Sequence, residues 1–163
     1  DALWYAIEAS DESMVTYLAE RHPRLSYKDK RGYTLLHHAV AHEKNSIIDL
    51  LLSGGIEIDA RTRDGNTALM IACSRENSTA VDQLVEKGAD MNIKNDIGNS
   101  ALMIAAQTGS EKSIISLLRA GADVDIRNNK REQAVDLAES GGHENIVEMI
   151  HRYKEDNKLF GIF

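Results

Sequence analysis

The residues able to do chemistry are few and scattered. His37, His38 and His42 form the chain's histidine cluster. His38 and His42 are four apart, which puts two imidazoles on one helix face, an arrangement that ligates zinc when further ligands are near. No third or fourth ligand is near in the sequence, so no metal site is assigned. Cys73 is the single cysteine, which excludes an internal disulfide and a four-cysteine zinc site. Gly109-Ser110-Glu111-Lys112-Ser113 has the composition of a phosphate loop. It lacks the G-x-x-x-x-G-K-[ST] spacing, and no strand feeds it. Asn77-Ser78-Thr79 fits a glycosylation sequon, but nothing suggests secretion. With no catalytic constellation, the sequence predicts neither an enzyme nor a cofactor.

The elements around these residues are those of a folded domain. The chain has 163 residues, 42% hydrophobic and 28% charged, enough for one core. Its formal charge is −7, which argues against sequence-independent nucleic-acid binding. No apolar run reaches the length of a membrane span, so no membrane insertion is expected. No signal peptide is visible. Together with the lone cysteine this predicts an intracellular protein, cytoplasmic or nuclear. The first residue is Asp1, and the chain reads as a part excised from a longer one.

A period of 33 organises the sequence. Gly32, Gly65 and Gly98 form one column, Gly55, Gly88 and Gly121 a second, Gly109 and Gly142 a third. The apolar residues share the period: Leu36, Leu69, Leu102, Val135; Ala39, Ala72, Ala105, Ala138; Ile48, Val81, Ile114, Val147; Leu51, Leu84, Leu117, Ile150. Leu3, Ala6, Val15 and Leu18 continue the register backward. Met70, Met91 and Met103 belong to this apolar pattern rather than to a cofactor site. Cys73 stands where Val40 and Ala106 stand in neighbouring units, a small core slot rather than the exposed, electropositive setting of a nucleophile.

Each unit reads physically. Asp29-Lys30-Arg31-Gly32 is a turn, with an Asx cap and a left-handed glycine. Thr34, Thr67 and Ser100 stand at a helix N-cap. A helix of about two turns follows, with Leu36, Ala39 and Val40 on one face. A second helix over Ser46 to Ser53 ends at Gly55. Ile56 to Arg61 is expected to be extended. No single unit buries its own apolar face, so units must stack.

These columns resemble the ankyrin repeat, whose helix opening reads T-P-L-H-x-A. The matches are Thr34-Leu35-Leu36-His37-His38-Ala39, Thr67-Ala68-Leu69-Met70-Ile71-Ala72 and Ser100-Ala101-Leu102-Met103-Ile104-Ala105. The family's G-A-D-V-N segment appears as Gly88-Ala89-Asp90-Met91-Asn92 and Gly121-Ala122-Asp123-Val124-Asp125, and Gly142-His143-Glu144-Asn145-Ile146-Val147 matches its second-helix opening. The family's proline is replaced by Leu35, Ala68, Ala101 and Ala134, and its histidine survives only as His37. Arg131 replaces a turn glycine and Gln133 a threonine. Trp4 takes the histidine position, and His22-Pro23-Arg24-Leu25 replaces G-A-D-V. The resemblance implies an all-α solenoid of about five helix–turn–helix repeats with short β-hairpin or turn fingers. Residues 1–154 would be the repeat domain: an N-terminal cap at 1–28, internal repeats at 29–61, 62–94 and 95–127, and a C-terminal cap at 128–154. Residues 155–163 would follow as an apolar tail. Leu159, Phe160, Ile162 and Phe163 fold back onto the last repeat, begin a further segment, or mediate a contact; the sequence does not choose.

The resemblance also implies a protein-interaction module, a monomer, that holds a peptide or folded partner on the concave face formed by fingertips and first helices. Column by column this selects Lys30, Arg31, Arg63, Asp64, Asp96 and Ile97 at the tips, followed by Asn129 and Lys130. Tyr33, Asn66 and Asn99 follow the turns. Ala41 and His42, Ser74 and Arg75, Gln107 and Thr108 stand at the first-helix ends. The cations at 30, 31, 63 and 75 predict attraction for an acidic segment. The alternative is a regulatory or targeting domain in a larger enzyme or channel, contacting its own chain. Asn92, with Leu84 eight residues earlier, resembles the preferred site of asparaginyl hydroxylases on this family.

Overall fold

The computed structural model describes residues 5–7, 9, 12–21 and 27–159. Trp4, His22-Pro23-Arg24-Leu25 and residues 160–163, which carry the N-terminal departures and most of the expected tail, lie outside the described residues. Helix α1 spans Glu12–Arg21. Four helix pairs follow: α2 Leu35–Ala41 with α3 Asn45–Ser53, α4 Ala68–Ser74 with α5 Ser78–Glu86, α6 Ala101–Thr108 with α7 Glu111–Arg119, and α8 Ala134–Ser140 with α9 Glu144–Leu159.

The caps fix where each pair begins. Thr34 Oγ1 accepts from His37 N, Thr67 Oγ1 from Met70 N and Ser100 Oγ from Met103 N, each at 3.4 Å. Gln133 lacks the hydroxyl, and Asp136 supplies the carboxylate instead, its Oδ2 taking Gln133 N at 2.7 Å. The first helices α2, α4, α6 and α8 pack in one layer and the second helices in another. The alanine column explains how closely the first layer packs: Ala39, Ala72, Ala105 and Ala138 are all fully buried. Leu36, Leu69 and Leu102 from one layer meet Leu51, Leu84 and Leu117 from the other, all at 1% exposure or less. Each such leucine contributes about 1.5–3 kcal/mol by leaving water.

Between pairs the chain projects as a finger. Asp29 Oδ1 accepts the backbone N–H of Arg31 and of Tyr33 at 2.8 and 2.9 Å, the Asx geometry expected of the turn. Gly32 then takes φ +80, and a Cβ there would lie 2.8 Å from Arg63 N. That approach has a purpose, because adjacent fingers are joined backbone to backbone. Arg63 N donates to Arg31 O at 2.9 Å, Asp96 N to Asp64 O at 3.1 Å and Asn129 N to Ile97 O at 3.2 Å.

A second ladder runs along the fingers. Lys28 Nζ donates to Arg61 O, Arg61 Nη2 to Lys94 O and Lys94 Nζ to Arg127 O, at 3.2, 3.1 and 2.7 Å. Four basic residues at the repeat period thus bind forward, each to the next until Arg127, which turns to its own finger at Arg131 O, 2.8 Å away.

Two expectations need correction, for the segment at 56–61 and for the boundary at 154. Ile56 to Arg61 is not extended: Ala60 N reaches Glu57 O at 3.4 Å in a turn that tucks Ala60 into the core. Of the hairpin or turn fingers expected, the turn form is present, with no strand among the described residues, because only one backbone bond joins each tip to the next. The 154/155 boundary falls inside α9, which has 16 residues where α3, α5 and α7 have nine. No glycine or proline stops α9 there.

Candidate protein-interaction surface

The fingertips and first-helix ends lie along one side of the stack. At its N-terminal end the side chains interlock. The Arg31 guanidinium sits 4.8 Å from the Tyr33 ring centroid. Tyr33 in turn lies 5.2 Å from the His38 ring and 5.5 Å from His37. His38 Nε2 reaches Asp29 Oδ2 at 3.2 Å. Burial pushes the Asp29 carboxyl up, but the backbone N–H groups of Tyr33 and Arg31 and the neighbouring His38 outweigh it and hold it below the ordinary value. Burial likewise holds His38 below its usual value, against the pull of Asp29. Tyr33 is therefore a half-buried aromatic braced from below, with a cation over its face. That restraint lowers the entropy a partner must offset on binding it.

Farther along, Lys30, Arg63 and Arg75 are exposed, as are Asp64, His42, Ser74 and Gln107. Ile97 stands 63% exposed at a tip, a large apolar residue of the kind that anchors contacts. Asp96 is exposed but engaged, its Oδ1 held 3.2 Å from Arg61 Nη2.

Two expected surface positions belong to the scaffold instead. Asn99 is only 4% exposed and accepts from Asn128 Nδ2 at 3.0 Å. It is a correction to the interaction surface, since the next finger covers it. Thr108 is half-buried and turns its Oγ1 onto Ile104 O at 3.1 Å and Cys73 O at 3.4 Å. Asn66 shares the turn inward, accepting from Asn95 Nδ2 at 2.8 Å, though it keeps partial exposure. Asn92 is exposed, and its Oδ1 accepts from Asp123 N at 3.0 Å.

The residues with latent chemistry are occupied structurally. Thr34 N donates to His37 Nδ1 at 3.1 Å, which leaves Nε2 protonated and donating to Asn66 O at 3.2 Å. Burial drives the His37 pKa down to about 4, so the ring is neutral. Cys73 is fully buried and its thiol is pushed up to about 12 by that burial. Such a thiol forms no thiolate near neutral pH. Among the described residues no three His, Cys, Asp or Glu side chains are grouped to hold a metal ion, and no helix is long and apolar enough to cross a membrane.

Sequence reasoning missed two features of this surface. His38 is part of the Tyr33 cluster, and its 33-residue column of Ile71, Ile104 and Leu137 was the available signal. The basic ladder of Lys28, Arg61, Lys94 and Arg127 was equally periodic.

Stacked helix pairs with bonded fingers define an α-solenoid repeat protein. The ankyrin-repeat family model matches the chain in three overlapping copies, over residues 3–95, 44–128 and 69–159. The chain belongs to the ankyrin-repeat family. Ankyrin repeats are generally protein–protein interaction modules. A search of curated proteins gives no match.

Proposed function

We propose that the chain binds a protein partner, as a peptide segment or folded surface, along the fingertips and first-helix ends. The observation that carries this reading is the contrast between bonded scaffold and open tips. The backbone of each finger is tied to its neighbour, whereas Lys30, Arg63, Asp64 and Ile97 project exposed from that rigid base and Arg75 stands exposed at the end of α4. Preorganised side chains on a rigid support are what an interface needs, because little entropy is lost on binding. Binding works by shape and by burial of Tyr33 and Ile97, with no bond made or broken. The chain acts as a monomer inside the cell. Asn92, exposed beside its finger, is the position offered to a hydroxylating enzyme, which must first release it from Asp123 N.

The test is affinity capture from a lysate with immobilised chain, comparing wild type with Tyr33→Ala/Arg75→Ala. A protein retained by the wild type and lost with the variant, at equal thermal midpoints, is the expected result. Equal capture by both would move the site off this face.

A further inference from the structure

The charge of this molecule is segregated. The four fingers, residues 28–33, 61–66, 94–99 and 127–132, hold nine lysines and arginines against four carboxylates, a net +5. The whole chain carries −7, so everything outside the fingers carries −12. All nine finger cations are exposed. Three of the four carboxylates are already engaged: Asp29 by backbone N–H groups and His38, Asp96 by Arg61, and Glu132 by Asn128 Nδ2 at 2.9 Å. Asp64 alone is without a side-chain partner among the described residues.

We infer that the fingers form a basic stripe whose partner is an acidic, extended polypeptide segment running across the tips. This rests on the interaction reading above and names the partner's chemistry. Neighbouring repeats stack at about 10 Å, the spacing of packed helices. An extended chain covers that distance in about three residues. Successive tips then present Lys30 with Arg31, Arg63 with Asp64, exposed Ile97, and Lys130 with Arg131. The matching segment has acidic side chains at every third position, with an apolar residue in the third place opposite Ile97. A nucleic acid fits this stripe less well. Its charge is evenly spaced at about one per 1.7 Å of duplex, whereas the stripe is interrupted by Ile97 and Asp64 and backed by an acidic body.

The probe is a fluorescein-labelled peptide of about 12 residues built to that pattern from glutamate, one leucine and glycine–serine spacers. A copy with lysine for glutamate and a single-stranded oligothymidylate serve as comparisons, all read by anisotropy on the full chain. The acidic peptide is expected to bind, to weaken severalfold as salt rises through the physiological range, and to lose about tenfold or more in affinity with Arg31→Glu/Arg63→Glu. Ile97→Ser should weaken it about threefold or more, while Lys112→Glu/Arg119→Glu, the same charge change placed on α7, leaves it unaltered. Thermal midpoints of all variants establish that they fold, and Lys30→Glu/Lys130→Glu replaces any that does not. Equal binding of the lysine peptide, tighter binding of the oligonucleotide, or no binding of the acidic peptide would each overturn the inference. If the acidic peptide fails while capture still depends on Tyr33 and Arg75, only the partner's chemistry is wrong. If both fail, the interaction reading falls with it.

Discussion

Asn128 donates its Nδ2 to Asn99 Oδ1 across 3.0 Å, and Asn95 makes the same bond to Asn66 at 2.8 Å one repeat earlier. In each case the turn asparagine uses Oδ1 to accept a backbone N–H of its own finger, Glu132 N for Asn128 and Asn99 N for Asn95. One amide thus closes a finger and ties it to the preceding one. Aspartate and threonine, at positions 29 and 62 of the same column, close the turn but have no N–H with which to reach back.

Asn128→Asp should therefore be worse than its size suggests. The carboxylate keeps the turn but faces the Asn99 oxygen and Glu132 with no donor. We expect a loss of about 1–3 kcal/mol in urea unfolding. A midpoint unchanged from wild type would show that the inter-finger bond contributes nothing.

Core truncation should register strongly. Leu69 and Leu102 are each 1% exposed between the two helix layers. Replacing either by alanine is expected to cost about 2–5 kcal/mol. Denaturation midpoints that barely move would mean the stack closes around the lost volume.

The left-handed columns predict opposite signs for glycine exchanges. Gly109 and Gly142 occupy a positive-φ position where earlier repeats carry Glu43 at φ 57 and Glu76 at φ 55. Glu76→Gly should stabilise by about 1 kcal/mol through relief of that strain. Gly98→Ala should destabilise by more than that, since its Cβ would lie 2.6 Å from Asn129 N. Thermal melts of the pair decide it, and a destabilised Glu76→Gly would contradict the strain argument.

Acid should loosen the second repeat through His37. Its folded pKa is lowered from 6.5 to about 4. Above 6.5 both folded and unfolded chains are neutral here. Between about 4 and 6.5 only the unfolded chain takes up the proton, so stability rises with pH through that window and falls as pH drops. The contribution reaches about 3 kcal/mol at the acid end. His37→Met, which copies Met70 and Met103 in the same column, should flatten the slope of urea midpoints between pH 7 and pH 4.5. An equally steep slope in the variant would assign the acid sensitivity elsewhere.

Much of the fold was legible because stacking repeats its demands. Each unit needs the same cap, the same close-packing alanine and the same left-handed turn residue, so Thr34, Ala39 and Gly32 recur at a fixed interval. Most of the misses share a physical source: they depend on the neighbouring unit and not on the local segment. Asn99 reads as a polar residue after a turn, and only the next finger reveals that it is covered. Glu43 and Glu76 are the local exception: they give no glycine signal, yet each is the left-handed residue that ends a first helix, with the next N–H reaching back to Ala39 O and Ala72 O. The basic residues of the ladder look like solvated charge until the carbonyl of the adjacent finger is seen to receive Lys28, Arg61 and Lys94. The interaction surface was legible as variation among constant columns, which locates open positions but does not say which are braced, as Tyr33 is by His38.

Because adjacent tips share a single backbone hydrogen bond, the molecule should behave under tension as a spring released one unit at a time. Pulling its ends apart in opposite directions peels a fingertip bond and the helix pair behind it together. Each rupture frees one 33-residue period, lengthening the chain by about 110 Å at full extension. Force traces would then carry a regular comb of steps. The comb's spacing is set by the interval between Gly32, Gly65 and Gly98.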